Sequence, residues 1–167
     1  ITQLKVDPAQ GLASPVYASG YWSGALAGRT AEGATSGFVA ALASGDGERN
    51  FVATVGGDSS VNALVVNEQG DLVIAGQVAR VNQAQTDVVL SPADIQNGNS
   101  IALQPQWHSN PISSPRYKHN ALVAKLSAEG DWQWATFTGG RYGTGLDLQQ
   151  GRDGSYYLTG GLGSAST

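Results

Sequence analysis

The fold is decided by the stretch "FVAALASGDGERNFVATVGGDSSVNALVVNEQGDLVIAG", Phe38 to Gly76. It holds four short runs rich in Val, Ile, Leu, Thr and Phe, separated by segments of Gly, Asp and Asn, which is the usual pattern of β-strands. The apolar residues do not recur at the three-and-four spacing of a helix. Because Gly and Asp tolerate positive φ, the polar segments are predicted to be tight hairpin turns.

The pattern of this stretch returns elsewhere in the chain. "LVAKLSAEGDWQWATFTGG" (Leu122 to Gly140) repeats Phe38 to Gly57 with one residue fewer in its turn. "GLDLQQGRDGSYYLTG" (Gly145 to Gly160) repeats Val61 to Gly76, and Ile1 to Gly20 is a third version of that half. Such self-similarity indicates a repeat architecture.

Four short antiparallel strands per repeat are typical of a β-propeller blade. A β-sandwich also has short strands at regular spacing, but it does not explain why the same four-part pattern returns. We therefore predict an all-β fold made of β-propeller blades of four antiparallel strands, with an incomplete ring within this chain because propellers close with four or more blades. The predicted parts are a half blade (1–36), a repeat unit (37–77), an insertion (78–119) and a second repeat unit (120–167).

Both repeat units resemble the SBBP-type β-propeller repeats of bacterial secreted and cell-surface proteins. Those repeats read aromatic-Val-Ala-Lys-Leu, a Gly turn, Trp or Tyr, Gly-Gly, and an apolar-Asp-Gly-aromatic-Val-Thr-Gly ending. The first copy departs from this pattern, since "VAAL" lacks the lysine that Lys125 supplies in the second. The resemblance covers the chain outside residues 78–119. It implies a scaffold exported from a bacterial cytoplasm, with adhesion or interaction roles and no catalytic residues.

The composition limits the function classes. Charged residues make up 13%, the net charge is −4 and the pI is about 4.9, which argues against nucleic acid because such domains show a basic footprint. No apolar run approaches the ~18 residues that span a bilayer. The absence of cysteine excludes disulfides and thiolate chemistry. A polar, weakly charged surface favours an extracytoplasmic protein, secreted or on the cell surface. The lack of an initiator Met and of a leader predicts a processed product or a piece of a longer chain.

The insertion at 78–119 is the predicted recognition element. Long connections on a regular scaffold are where binding residues often concentrate, although a solvated loop with no role costs little entropy and stays an open alternative. We expect that deleting 82–115 would abolish partner capture and leave thermal unfolding nearly unchanged. The candidate binding residues in the insertion are Trp107, His108, Arg116, Tyr117, Lys118 and His119.

Trp132 and Trp134 stand two residues apart on a predicted strand. Alternate residues of a strand project from the same face, so both rings are expected on one side of the sheet. Packing between neighbouring blades is the favoured interpretation, and a platform for sugars is the alternative.

No catalytic site or metal site is predicted. His108 and His119 do not have a recognised metal-ligand spacing, and the carboxylates lie singly in turns rather than paired as glycosidase chemistry requires. We expect no cofactor. The predicted function is a non-enzymatic extracytoplasmic interaction or adhesion module whose partners are the remaining blades of the same protein or a protein partner, with a glycan as a further ligand class. The alternatives are a propeller-type glycan hydrolase or lyase with a site shared with missing blades, and a purely structural spacer or assembly subunit.

Overall fold

The computed structural model describes residues 1–7, 14–79, 81, 85–93, 96–104, 119–138 and 142–163. Within them the protein is all-β, with antiparallel sheets and no helix. The strands are β1 Gln3–Val6, β2 Val16–Trp22, β3 Ala25–Leu26, β4 Arg29–Thr30, β5 Ser36–Leu42, β6 Arg49–Val55, β7 Asp58–Val66, β8 Leu72–Ala79, β9 Val88–Ser91, β10 Ile101–Leu103, β11 His119–Leu126, β12 Trp132–Thr138, β13 Tyr142–Gln150 and β14 Tyr156–Gly163.

The strands form three main sheets and one small hairpin. Sheet 1 has the order β1-β2-β5-β6-β9-β10, sheet 2 the order β7-β8-β11-β12, and sheet 3 pairs β13 with β14. Within the described ranges, β3 and β4 pair only with each other. In sheet 2 and in the first four strands of sheet 1, each strand pairs with the sheet's next strand along the chain, so both are meanders. Each meander contains one long connection between its second and third strands.

The pairing register shows that the three sheets are built alike. Gly20 lies opposite Phe38 in sheet 1, as Gly76 lies opposite Leu122 in sheet 2. On the other side of β8, strand β7 has a bulge directly after the residue that pairs with Gly76. Strand β13 has the same bulge directly after the residue that pairs with Gly160 of β14. β1, β7 and β13 are therefore equivalent, as are β2, β8 and β14.

Glycine is required at two of these equivalent positions by close backbone approach. A Cβ added to Gly76 would lie 2.1 Å from the carbonyl oxygen of Ser60, and one on Gly160 would lie 2.0 Å from that of Thr144. Neither neighbour is a movable side chain, so any other residue would have to displace the bulged strand beside it.

The repeat unit predicted from the sequence does not coincide with one sheet, because its boundaries are shifted by two strands. Residues 37–77 supply β5 and β6 to sheet 1 and then β7 and β8 to sheet 2. β7 crosses sheet 1 obliquely: Ser59 donates its backbone N–H to the carbonyl of Thr35 just before β5, and Leu64 donates to Oε1 of Gln3 in β1. Each repeat therefore links two successive layers.

Sheet 2 is the middle layer, with apolar residues on both faces. Its front face, which packs on sheet 1, carries Leu64, Leu72, Ile74, Leu122 and Leu126 in the larger core cluster. Its back face carries Ala63, Val73, Ala75 and Val123, which pack with Leu148, Tyr156 and Leu158 of sheet 3. Since alternate residues of a strand point to opposite faces, a strand between two layers reads as a continuous apolar run, as "NALVV" and "LVIAG" do.

One end of the sheets, which we call the turn end, carries a turn that recurs. Asn67 donates its N–H to the carbonyl of Asp71 at 2.9 Å, and Gly70, at φ 81°, donates to the carbonyl of Asn67 at 3.0 Å. Ser127 to Asp131 and Gly151 to Ser155 make the same pair of bonds. The prediction of Gly-containing hairpin turns at these positions is confirmed.

Part of the predicted insertion belongs to the core. β9 pairs with β6 and extends sheet 1, and its Val88 and Leu90 are fully buried. The expectation that deleting 82–115 would leave thermal unfolding nearly unchanged is therefore wrong. That deletion would remove two core side chains, each contributing about 1.5–3 kcal/mol by burial.

Candidate functional site

The two ends of the sheets differ in their connections. At the turn end, short hairpin turns join β5 to β6, β7 to β8, β11 to β12 and β13 to β14. At the opposite end, residues 23–35 join β2 to β5 and residues 80–118 join the equivalent strands β8 and β11. We call this second end the excursion end. Because loops held by a rigid scaffold commonly carry binding residues, it is the candidate site.

Of the six candidate residues, His119 lies within the described part of the chain. Trp107, His108, Arg116, Tyr117 and Lys118 lie outside the described residues. His119 opens β11 at the excursion end, half-buried and paired with Ala79 of β8. Asp58 of β7 pairs with Ala79 from the other side. The imidazole and this carboxylate therefore flank the last residue of β8.

Burial is the main influence on His119. It lowers the pKa of the imidazole below its ordinary value of 6.5, while the negative charge of Asp58 acts in the opposite direction. A lowered pKa favours the neutral ring near neutral pH, which can both donate and accept a hydrogen bond.

Asp58 ties the first excursion to sheet 2. Its Oδ1 accepts hydrogen bonds from the backbone N–H of Thr35 at 3.0 Å and from the Thr35 hydroxyl at 3.1 Å. The same hydroxyl lies 3.1 Å from the carbonyl oxygen of Ser59. Hydrogen bonds to a charged acceptor are stronger than neutral ones, so residues 23–35 are anchored where β7 begins.

Arg29, in the β3–β4 hairpin, joins the two excursions. Its guanidinium donates to Oγ1 of Thr54 at 2.7 Å and to the carbonyls of Pro92 and Ala93, which directly follow β9. Burial lowers the pKa of this guanidinium below its ordinary value. Arg29 thus holds the β3–β4 hairpin against the edge where the 80–118 excursion returns to sheet 1.

Glu32 braces the short link between sheets 1 and 2. Its Oε2 accepts the N–H of Gly57 at 2.6 Å, and the N–H of Gly56 donates to the carbonyl of Val89 at 2.9 Å. Arg29, Glu32, Thr35 and Asp58 were not among the sequence candidates. The signal available for the first three was a cluster of ionisable and hydroxyl residues in the connection 23–35, and Asp58 begins β7.

The two tryptophans lie on opposite faces of sheet 2, so the prediction of one shared face is wrong. Leu126 pairs with Trp132 and Lys125 pairs with Trp134, which leaves Gln133 as an extra residue, a β-bulge. Trp132 is 2% exposed in the core against sheet 1, whereas Trp134 is 39% exposed on the back face. The predicted packing between layers therefore holds for Trp132 alone.

No metal site is found in the part of the chain that the structure describes: no group of three or more His, Asp or Glu side chains is placed to hold an ion. The ion pair between Lys125 Nζ and Asp71 Oδ2, at 2.7 Å, lies at the turn end with Gln133 beside it. In the same described ranges, no helix is long and apolar enough to cross a membrane.

No protein-family model matches the chain, and no curated protein is significantly similar to it in sequence.

Proposed function

We propose that this chain forms part of a β-propeller and acts outside the cytoplasm as an interaction or adhesion module, without catalysis of its own. One observation carries the proposal: the meander β7-β8-β11-β12 stacks face to face on an equivalent meander, and the β13–β14 hairpin begins a third copy in register. Four-stranded antiparallel sheets that follow one another in the chain and pack face to face are the building plan of propeller blades. The resemblance to SBBP-type repeats supports a bacterial, secreted or cell-surface setting.

In this proposal, the excursion end is the recognition surface. Both long connections leave from it, and the bonds of Arg29 and Asp58 fix their described parts to the sheets. The predicted binding residues fall in the sequence between β10 and the first residue of β11. Since the chain carries little charge, binding relies on shape, aromatic burial and hydrogen bonds. The partners are the remaining blades or a protein partner, and a glycan is a further ligand class.

A loop exchange tests this function without disturbing the core. Residues 105–118 are replaced by a Gly-Ser segment of equal length, which retains β9, β10 and β11. A matched control carries Glu68→Ala and Gln69→Ser at the turn end. Both proteins are immobilised and exposed to a glycan array and to the extracellular fraction of the source cells.

The expected result is that the loop exchange abolishes capture and the control retains it, with thermal unfolding of both within a few degrees of the original. Undiminished capture by the loop-exchanged protein would remove the recognition role from this segment. Release of sugars from the array would favour the glycan hydrolase or lyase instead.

A further inference from the structure

The outer edge of β14 has no partner strand among the described residues. Its equivalents in the other sheets are paired on both sides: β2 lies between β1 and β5, and β8 lies between β7 and β11. Among the strands that the structure describes, β14 pairs with β13 alone. An edge of this kind offers a row of free N–H and C=O groups to another extended segment.

A second observation comes from the back face of sheet 2, beside that edge. Where sheet 3 covers it, Val73 and Ala75 are fully buried. On the outer strand β12, which no described strand of sheet 3 covers, Trp134 is 39% exposed and Thr136 is also exposed.

The corresponding face of sheet 1 shows what covers such a surface. By register, Trp134 corresponds to Phe51, since these residues pair with Lys125 and Ala41 of the equivalent strands β11 and β5. Phe51 is 8% exposed and the next residue on its face, Ala53, is fully buried. Leu122, Ala124, Leu126 and Trp132 of the β11–β12 hairpin share their core cluster. The β11–β12 hairpin therefore covers this face of β6 in sheet 1.

We propose that the β14 edge and the floor formed by Trp134 and Thr136 bind a β-hairpin of the same kind as β5–β6 and β11–β12. A further repeat unit supplies this hairpin, and not a second copy of this chain, whose own two hairpins are already paired in sheets 1 and 2. The register follows from the two internal examples. A large apolar residue would lie opposite Gly160, as Phe38 lies opposite Gly20, and a leucine opposite Tyr156, as Leu126 lies opposite Leu72. Main-chain bonds to β14 supply affinity, and alternate side chains directed at sheet 2 supply specificity. The proposal rests on the stacked-sheet architecture and not on recognition at the excursion end.

A peptide of residues 36–55 provides the probe, because it contains the β5–β6 hairpin and no tryptophan. It is added to the full 167-residue protein, and tryptophan emission and amide hydrogen exchange are followed together. We expect a saturable blue shift in emission, and exchange slowed at least tenfold at alternate amides of β14. The Trp134→Phe variant is expected to lose most of the emission change and to keep the slowed exchange.

The matched control peptide carries Phe38→Lys and Leu42→Lys, which place charges on the face directed at sheet 2. Its affinity is expected to fall more than tenfold. The proposal is overturned if hydrogen exchange at β14 is unchanged at the highest soluble concentration of the first peptide. It is likewise overturned if both peptides protect β14 equally. It is also overturned if β14 is already protected without peptide and sedimentation shows a dimer, because a second copy would then occupy the edge. Capture by the 105–118 segment is measured separately, so either proposal can fail alone.

Discussion

The two interlayer contacts of this protein use the same positions with different results. Between sheets 1 and 2, six strands face four, and the back-face residues Phe51 and Ala53 of β6 are buried. Between sheets 2 and 3, four strands face two, and the equivalent residues of β12 are open to solvent. Burial at a repeat position is therefore set by the neighbouring layer as well as by the repeat. The same residue pattern provides core in one place and surface in the other.

The largest expected difference between the two contacts is at the tryptophan pair. Trp132→Ala should lower the free energy of unfolding by about 3–5 kcal/mol, because it empties a buried position between sheets 1 and 2. Trp134→Ala should cost about 1 kcal/mol or less, since its ring is partly solvated. Urea unfolding of both variants measures the contrast. Equal losses would mean that the bulge does not separate the two rings in solution.

A leucine series tests the same comparison over three equivalent strands. Leu4, Leu64 and Leu148 occupy one register position and are 59%, 0% and 3% exposed. Leu64→Ala should cost about 2–5 kcal/mol, Leu148→Ala less, because only a two-stranded sheet holds it, and Leu4→Ala about 0.5 kcal/mol. Chemical denaturation gives the three values. Any order other than Leu64, Leu148, Leu4 would contradict the layer assignment.

A smaller effect is expected where the β3–β4 hairpin is fixed to sheet 1. Arg29→Met keeps the aliphatic stem but removes the bonds to Thr54, Pro92 and Ala93, so we expect a loss of about 1–3 kcal/mol. Arg49→Met, an exposed arginine on β6, serves as the control and should change stability by about 0.5 kcal/mol. Hydrogen exchange should also become faster at β9 in the first variant alone. If both variants behave alike, the guanidinium does not join the excursions.

The smallest effect concerns pH at the excursion end. Because the pKa of His119 is lower in the folded protein than its ordinary 6.5, the unfolded chain binds this proton more readily. The stability that the neutral His119 ring contributes is fully present above pH 6.5. It is lost as the pH falls through the pKa of the folded protein. His119→Gln should therefore lose less stability than the original between pH 7 and pH 5. Urea unfolding at several pH values, with NMR titration of the imidazole, provides the measurement. If the free energy of unfolding changes equally with pH in both proteins, the prediction is contradicted.

Much of the fold could be predicted from local patterns. Residue types and their order over a few positions were enough to predict the strands and the turns at Gly70 and Gly130. They were also enough to predict the equivalence of Gly76 with Gly160. The predicted all-β class with antiparallel strands is confirmed. The propeller architecture, with its incomplete ring within this chain, and the family resemblance stay predictions.

The errors have a common physical origin in pairing between distant strands. A bulge depends on how β11 and β12 align, so the alternation that placed Trp132 and Trp134 together could not reveal it. Likewise, Val88 and Leu90 read as part of a polar insertion because the strand they join, β6, lies more than thirty residues earlier. The role of Arg29 depends on carbonyls after β9 and was hidden for the same reason.

The link between β6 and β7 has a consequence for how the molecule can be cut. Only Gly56 and Gly57 join these strands, and each donates its N–H to a neighbouring acceptor. A protease binds several consecutive residues in an extended conformation away from the protein surface. The link between β6 and β7 is two residues long and both of its amides are hydrogen-bonded, so it does not adopt that conformation readily. Limited digestion should therefore cut the chain elsewhere before it separates β6 from β7.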